Sequence, residues 1–283
     1  MKAKQIFMCV ALLSMGLVGC KNNGQTVSTP IESDSVEYKS EGDSVLQCHV
    51  IVDFPTGQDS FSVAVADYIN KELKNLYLPE SMQEEGSASV PQFKGDTNDG
   101  KAVINFYGKA NYAYLQAEAK QLSEDFDASV EGMAYDVSIR KIEDNPRYLT
   151  YATSSYTFLG GAHGSSALYG ATIAKPSGKV ITQTVDTLKL TQMQPILRRG
   201  VIGYMHNNGD TNVTDQNLND YLFVDNGILP IPAKEPYLAA DGLHFVYQQY
   251  EIGPYAMGMP EFVVPYEEAE SFMTPEALEL IKQ

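Results

Sequence analysis

The chain has 283 residues, 43% of them apolar and 10% aromatic, with 20 basic against 36 acidic side chains and a formal charge of −16. That much apolar material supports a real core and excludes wholesale disorder and collagen-like or coiled-coil architectures. The acidic excess excludes non-specific nucleic-acid binding, which needs basic residues to neutralise a run of phosphates.

The N-terminus carries an address. Lys2 and Lys4 precede an apolar run from Ile6 to Val18, too short for a membrane span of about 20 residues but suited to the apolar region of a secretory leader. The run ends in Leu17-Val18-Gly19-Cys20, which resembles the lipobox of bacterial lipoproteins. That resemblance implies cleavage of residues 1–19 as a signal peptide and acylation of Cys20, palmitate among the expected chains. Two lysines and no acids leave with the leader, taking the formal charge from −16 to −18. Acyl chains contribute about 0.8 kcal/mol per buried methylene, so several on Cys20 hold a body to a membrane without a spanning helix. Cys9 leaves with the leader, so Cys48 is alone and no internal disulfide is expected. Cys48 sits in a β-like run and reads as a packed strand residue.

Residues 20–43 are polar and aperiodic and read as a flexible tether. Val45 to Phe54 has a β pattern. Pro55-Thr56-Gly57 then turns the chain, and Asp59 or Ser60 can cap a helix reaching about Leu76, with Phe61, Val65, Ile69, Leu73 and Leu76 at helical spacing. Residues 79–100, rich in acids, glycine and proline, read as an exposed loop. A second helix fits Asn111 to Phe126, with Tyr112, Leu115, Ala119, Leu122 and Phe126 on one side.

Beyond it the chain turns strand-rich. Met133–Ile142, Arg147–Phe158, Ser165–Ala174 and Val180–Thr184 are β-like, and their short connections predict an antiparallel meander. A helix is expected from Thr187 or Thr191 to His206, carrying Met193, Leu197, Val201 and Met205. Further strands are expected at Ile228–Ile231, Tyr237–Ala240, Leu243–Tyr247 and Glu261–Pro265, and a last helix at Pro275–Ile281. Segregated helices and strands predict an α+β fold, antiparallel sheets with a few packed helices in two associated subdomains, residues 44–144 and 145–283.

Two segments carry the candidate chemistry. The first is Tyr156-Thr157-Phe158-Leu159-Gly160-Gly161-Ala162-His163-Gly164. Its glycines suit a hairpin corner and also let a backbone approach a ligand, which makes Gly160, Gly161 and His163 candidate ligand contacts. The second runs from Asp241 to Gly258 and gathers Tyr247, Tyr250 and Tyr255 around Glu251. Tyrosines beside a carboxylate offer ring faces for stacking and hydroxyls for hydrogen bonds, a surface for carbohydrate or peptide. They serve equally well to cap a sheet edge. The histidines at 49, 163, 206 and 244 are scattered, with no His-x-x-x-His and no Cys-x-x-Cys, so no metal and no cofactor is expected.

The pair Tyr-x-x-x-Gly-Gly-Ala-His-Gly and Asp-Gly-Leu-x-Phe-x-Tyr-x-x-Tyr-Glu-Ile-x-Pro-Tyr-Ala-x-Gly, ending at Gly164 and Gly258, resembles a bacterial envelope domain family of largely unassigned function. That domain forms the ectodomain of RsiV-type anti-sigma factors and accompanies the deacetylase domain of PdaC-type enzymes, preceded by an α+β companion domain whose place residues 45–143 fit. The resemblance implies a cell-envelope protein able to bind lysozyme-like proteins. An anti-sigma role is not expected, because no second apolar span and no cytoplasmic segment follow the leader. Deacetylase activity is not implied, because the metal-binding Asp and His pattern is missing.

The expectation is therefore a lipid-anchored lipoprotein facing the periplasm or cell surface that binds without catalysing. Its partners are the membrane, through lipid, and a basic protein such as a lysozyme or the cell-wall glycan, peptidoglycan. The alternative is an envelope hydrolase using His163 and Glu251, with Ser154, Ser155 or Asp241 in the remaining roles.

Overall fold

The computed structural model describes residues 29–41, 45–78, 90–126 and 132–282. The leader and Cys20 lie outside them, as does the 79–89 part of the expected acidic loop.

Alternation builds the first half. Strand β2 (Leu46–Pro55) buries Leu46, Cys48, Val50, Val52 and Phe54 on one face. Helix α1 (Ser60–Asn75) lays Phe61, Val65, Ile69 and Leu73 on that face, and its N-terminus is capped by Asp59, whose carboxylate accepts from the Phe61 and Ser62 amides. Helix α2 spans Gly100–Phe126, 27 residues, and starts 11 residues before the expected Asn111. The added turns carry Val103, Ile104 and Tyr107 into the core. Part of the expected tether is also ordered. Ser33–Lys39 form strand β1, which pairs antiparallel with β2 and turns Val36 and Tyr38 toward the core.

Strands β3 (Met133–Asp144), β4 (Tyr148–Phe158), β5 (Ser165–Ala174) and β6 (Lys179–Val180) complete a six-stranded sheet in the order β1-β2-β3-β4-β5-β6. The expected meander from β3 to β6 is present. The β2–β3 pair, however, is parallel, and α1 and α2 form the crossover such a pair requires. One β-to-β crossover thus stands inside a fold expected to be segregated. The 144/145 junction expected between subdomains is the turn between β3 and β4, inside this sheet.

The second core lies on the other face. A 3-10 turn (Thr187–Lys189) leads into α3 (Leu190–Asn207), which buries Met193, Leu197, Val201 and Met205 as its spacing predicts. These pack with a three-stranded antiparallel sheet, β7 (Tyr237–Ala239), β8 (Gly242–Val246) and β9 (Glu261–Val264), and with α4 (Tyr266–Ala269) and α5 (Pro275–Ile281). The strand expected over Ile228–Ile231 is irregular. There the Gln194 side chain takes the place of a neighbouring strand, accepting from the Leu229 N–H and donating to its C=O, both at 2.9 Å. The molecule is an α+β fold of two associated parts. No helix among the described residues is long and apolar enough to cross a membrane.

The parts join where the free edge of β7 meets the outer face of β4 and β5. The Leu238 amide donates to Thr172 Oγ1 (2.9 Å), and Thr150 Oγ1 donates to the Leu238 carbonyl (2.7 Å). Gly170 makes room for the Tyr237 ring, which a Cβ at that position would strike. At one end of β4 and β5 a charged knot ties down the incoming chain. Asp144 pairs with Lys175 and Lys141 and accepts from the Ile31 amide, while the Lys175 side chain is only 1% exposed.

Removing one partner of a buried pair strands the other charge, at a cost of about 3–5 kcal/mol. Asp144→Ala should lower the unfolding free energy by that amount in urea denaturation. Lys179→Ala, which removes an exposed pair with Glu276, should cost under about 1 kcal/mol. Equal effects would contradict this account of the knot.

Candidate functional site

The far end of β4 and β5, away from the Asp144 knot, borders an open groove of about 1090 Å³. That volume reaches the upper end of the range for small-ligand sites. Its floor is the α1-facing side of the hairpin, where alternation presents Ser155 and Thr157 from β4 and Ser165, Ala167 and Tyr169 from β5. One wall is α1, which offers Tyr68, Glu72 and Asn75 at i, i+4 and i+7, a polar stripe beside its core stripe. The opposite wall is Ala233-Lys234-Glu235, and Gly160 and His163 stand at the hairpin end.

The groove's charges are locally engaged. The Tyr169 hydroxyl donates to Glu72. Burial, reinforced by that carboxylate, pushes the Tyr169 hydroxyl far above its ordinary value, so it is a fixed neutral donor. Burial does the same to Tyr68, again with Glu72 adding to the shift. The Lys234 ammonium lies 4.3 Å from the Tyr169 ring centroid, a cation–π contact. Glu235 accepts from the Thr184 amide and is 2.6 Å from the Thr184 hydroxyl.

The residues expected from sequence divide into three groups. Gly160 and His163 line the groove, and Gly161 sits beside them on the exposed turn at φ +96°. His163, Tyr250 and Tyr255 form one cluster at its mouth. The His163 ring stacks on Tyr255 at 3.9 Å between centroids. Its Nδ1 is 3.0 Å from the Gly164 carbonyl, which can only accept, so in the neutral ring Nδ1 carries the proton and Nε2 accepts from the Tyr250 hydroxyl at 3.2 Å. The Tyr255 hydroxyl donates to the same Gly164 carbonyl.

The third group is not at the groove surface. Tyr247 was expected to face a ligand but is fully buried, its hydroxyl donating to the Pro230 carbonyl and its pKa pushed up by burial and by Glu251. Glu251 spends one oxygen on the Ala233 amide (2.6 Å) and the other on the Gln248 amide (2.7 Å). It braces the loop, and it does not line the groove with His163. Ser154 points to the opposite face from Ser155, and Asp241 pairs with His244 at the β7–β8 turn. No group of three His, Cys, Asp or Glu residues among those described is placed to hold a metal ion. Tyr68, Glu72, Asn75, Tyr169 and Lys234 are the groove residues that sequence reasoning missed. The one available signal was the polar i, i+4, i+7 stripe on α1.

Comparison with known proteins places this geometry in context. Residues 46–166 match the family model described as Deacetylase PdaC, and residues 188–267 match that described as Protein of unknown function (DUF3298). The chain thus carries a PdaC-like region followed by a DUF3298 region, the architecture that the two motifs implied. Among solved structures it is similar to a DUF3298 family member from Bacteroides fragilis NCTC 9343, at 18% identity and a TM-score of 0.64, covering 89% of this chain and 98% of that one. It is also similar to a DUF3298 family protein from Pseudomonas aeruginosa PAO1, at 14% identity and a TM-score of 0.54, covering 88% and 95%. At these identities the likeness shows the fold. No curated protein matches the chain.

Cys48 lies outside the groove floor, 1% exposed, with its thiol against the Gly108 carbonyl. Burial pushes it up to about 12, with the Asp136 charge adding to the shift. At pH 8 that leaves about one thiolate in ten thousand. Alkylation at Cys48, followed by peptide mass mapping, should therefore be negligible in the folded protein at pH 8 and complete in denaturant. Fast labelling of the folded protein would show an open thiol.

Proposed function

We propose that this protein is a lipid-anchored cell-envelope module that binds a glycan of the cell wall in the groove between α1 and the 233–235 segment, without transforming it. The groove carries the reading. It sets hydroxyl, amide and carboxylate groups from Ser155, Thr157, Ser165, Asn75 and Glu72 beside the rings of Tyr68 and Tyr169. Sugars are recognised by that combination, their C–H faces against rings and their hydroxyls paired to fixed polar groups.

The envelope location is supported by the lipobox-like Leu17–Cys20 and by the PdaC-like and DUF3298 regions. The chain enters beside Asp144, Lys141 and Lys175, where the Lys141 ammonium donates to the Ile31 carbonyl. The ten residues of β5, about 33 Å of strand, separate that end from the His163 turn. The position of Glu251 speaks against the hydrolase alternative built on it. Glu251 is committed to two backbone amides, which leaves His163 without the partner the hydrolase alternative gave it.

Co-sedimentation with purified peptidoglycan tests this reading. Wild type should be retained, and Glu72→Gln combined with Asn75→Ala should weaken retention about 10-fold, on the order of 1.4 kcal/mol. No retention of wild type would overturn the glycan reading, and full retention of the double variant would move the site elsewhere. The formal charge of −16 favours a second reading, a basic protein partner such as a lysozyme. That reading predicts capture at low salt that fades as salt rises and is indifferent to the groove variants.

A further inference from the structure

The turn from Gln248 to Glu251 touches the hairpin floor of the groove and its 233–235 wall yet contributes none of the lining. On one side it holds the β4–β5 hairpin. Gln248 pairs with both the N–H and the C=O of Leu168, Gln249 accepts from the Ser166 amide (2.8 Å), and Tyr250 donates to His163. On the other side Glu251 holds the opposite wall through the Ala233 amide, and it closes the turn itself through the Gln248 amide. Tyr250 adopts φ +65°, a left-handed conformation that a bulky side chain resists and that persists only where surrounding contacts impose it. The hairpin it grips needs gripping, because Gly160 and Gly161 both sit at positive φ and carry no side chain to pack.

We infer that residues 248–251 form a clasp that fixes the β4–β5 floor of the groove relative to its 233–235 wall, with Tyr250 and Glu251 as positioning residues and His163 as the clasp's catch rather than a ligand contact. This rests on the groove being the binding site. The clasp's mechanical part stands apart from any ligand, because floor and wall are tied whether or not the groove is filled. With these two fixed, a ligand meets a preformed site and loses less freedom on binding, so loosening the clasp should act on dissociation rate first.

Two variants separate this from a general role in stability. Tyr250→Gly suits the left-handed backbone and removes the grip on His163, while Glu251→Gln keeps the size and forfeits one of the two amide contacts. In the full chain, hydrogen exchange of the Ser166 amide, held by Gln249 of the same turn, should speed up at least 10-fold in Tyr250→Gly. The Ala233 or Gln248 amide should do so in Glu251→Gln. Amides of Leu149 and Tyr151 in the core, and the thermal midpoint of Tyr250→Gly, should stay as in wild type. Peptidoglycan fragments should leave both variants about 10-fold faster than they leave wild type. Unchanged exchange in both variants, or acceleration spread evenly over the sheet, would overturn the clasp. Local acceleration with unchanged release of a fragment that wild type binds would overturn its role in binding. If wild type binds no fragment, the glycan reading fails and the role in binding fails with it. The exchange data then still decide whether floor and wall are tied.

Discussion

A strand edge laid against the face of another sheet buries N–H and C=O groups that have no ladder to join, and each left unpaired costs about 1–3 kcal/mol. The way β7 escapes that cost fixes much of the molecule. Its edge is met by hydroxyls rather than by a strand. Thr172 and Thr150 take the two groups of Leu238, Tyr266 donates to the Ala239 carbonyl, and the Thr184 hydroxyl lies 2.8 Å from the Pro236 carbonyl. Such pairing is specific in a way that apolar contact is not, because a slip of one residue would misplace every hydroxyl. It also determines the groove. The segment leading into β7 is Ala233-Lys234-Glu235, so the junction that satisfies β7 also sets one wall beside Tyr169.

The charge of the chain is arranged differently in the fold and at its surface. The buried charges are few and concentrated where Asp144 gathers Lys175 and Lys141 at the start of the described chain. In the groove, acids are held by hydroxyls and amides instead of cations, Glu72 by Tyr169 and Glu235 by Thr184. A carboxylate held by such dipoles keeps further lone pairs free to accept a ligand hydroxyl. Most other ion pairs, such as Lys179–Glu276 and Lys120–Glu124, are exposed and contribute little to stability. The excess of acids therefore bears on solubility and on encounter with charged partners, not on the fold.

The parts legible in the sequence are those where one face is buried and the period is clean. Met193, Leu197, Val201 and Met205 announce α3, and α5 starts at Pro275 as expected, with the Thr274 hydroxyl supplying a cap that the sequence reading did not name. What stayed hidden depends on partners distant in sequence. Strand β1 reads as tether because Ser33-Asp34-Ser35-Val36-Glu37-Tyr38-Lys39 is an edge strand with polar residues between its two core contacts, the composition that keeps edges from aggregating. The start of α2 was missed because its early turns interleave Lys101 and Asn105 with core residues next to a glycine-rich approach. The His163–Tyr250–Tyr255 grouping was half legible. Both motifs were visible, but their contact spans 87 residues and only the fold supplies it. Tyr247 looked like its neighbours because nothing local distinguishes a tyrosine whose hydroxyl finds a buried carbonyl from one that faces water.

The same physics bears on how an open groove can discriminate. Tyr169, Glu72 and Tyr68 are set by a helix and a strand that share the first core, whereas Lys234 and Glu235 belong to the approach to the second sheet. A site assembled from two bodies is only as well defined as the contact between them. Two of the ties between them bear directly on the groove, the hydroxyls along β7 and the Gln248–Glu251 turn at its mouth. The first tie is buried and sets the register of one body on the other. The second is half-exposed, includes a strained residue, and acts at the glycine turn where the sheet alone has least hold. Under the proposed glycan reading, fixed partners matter because a flexible polymer's own ordering already opposes binding. The strained Tyr250 sits where the sheet alone has least hold, and both His163 and Glu251 are engaged in the contacts of that turn.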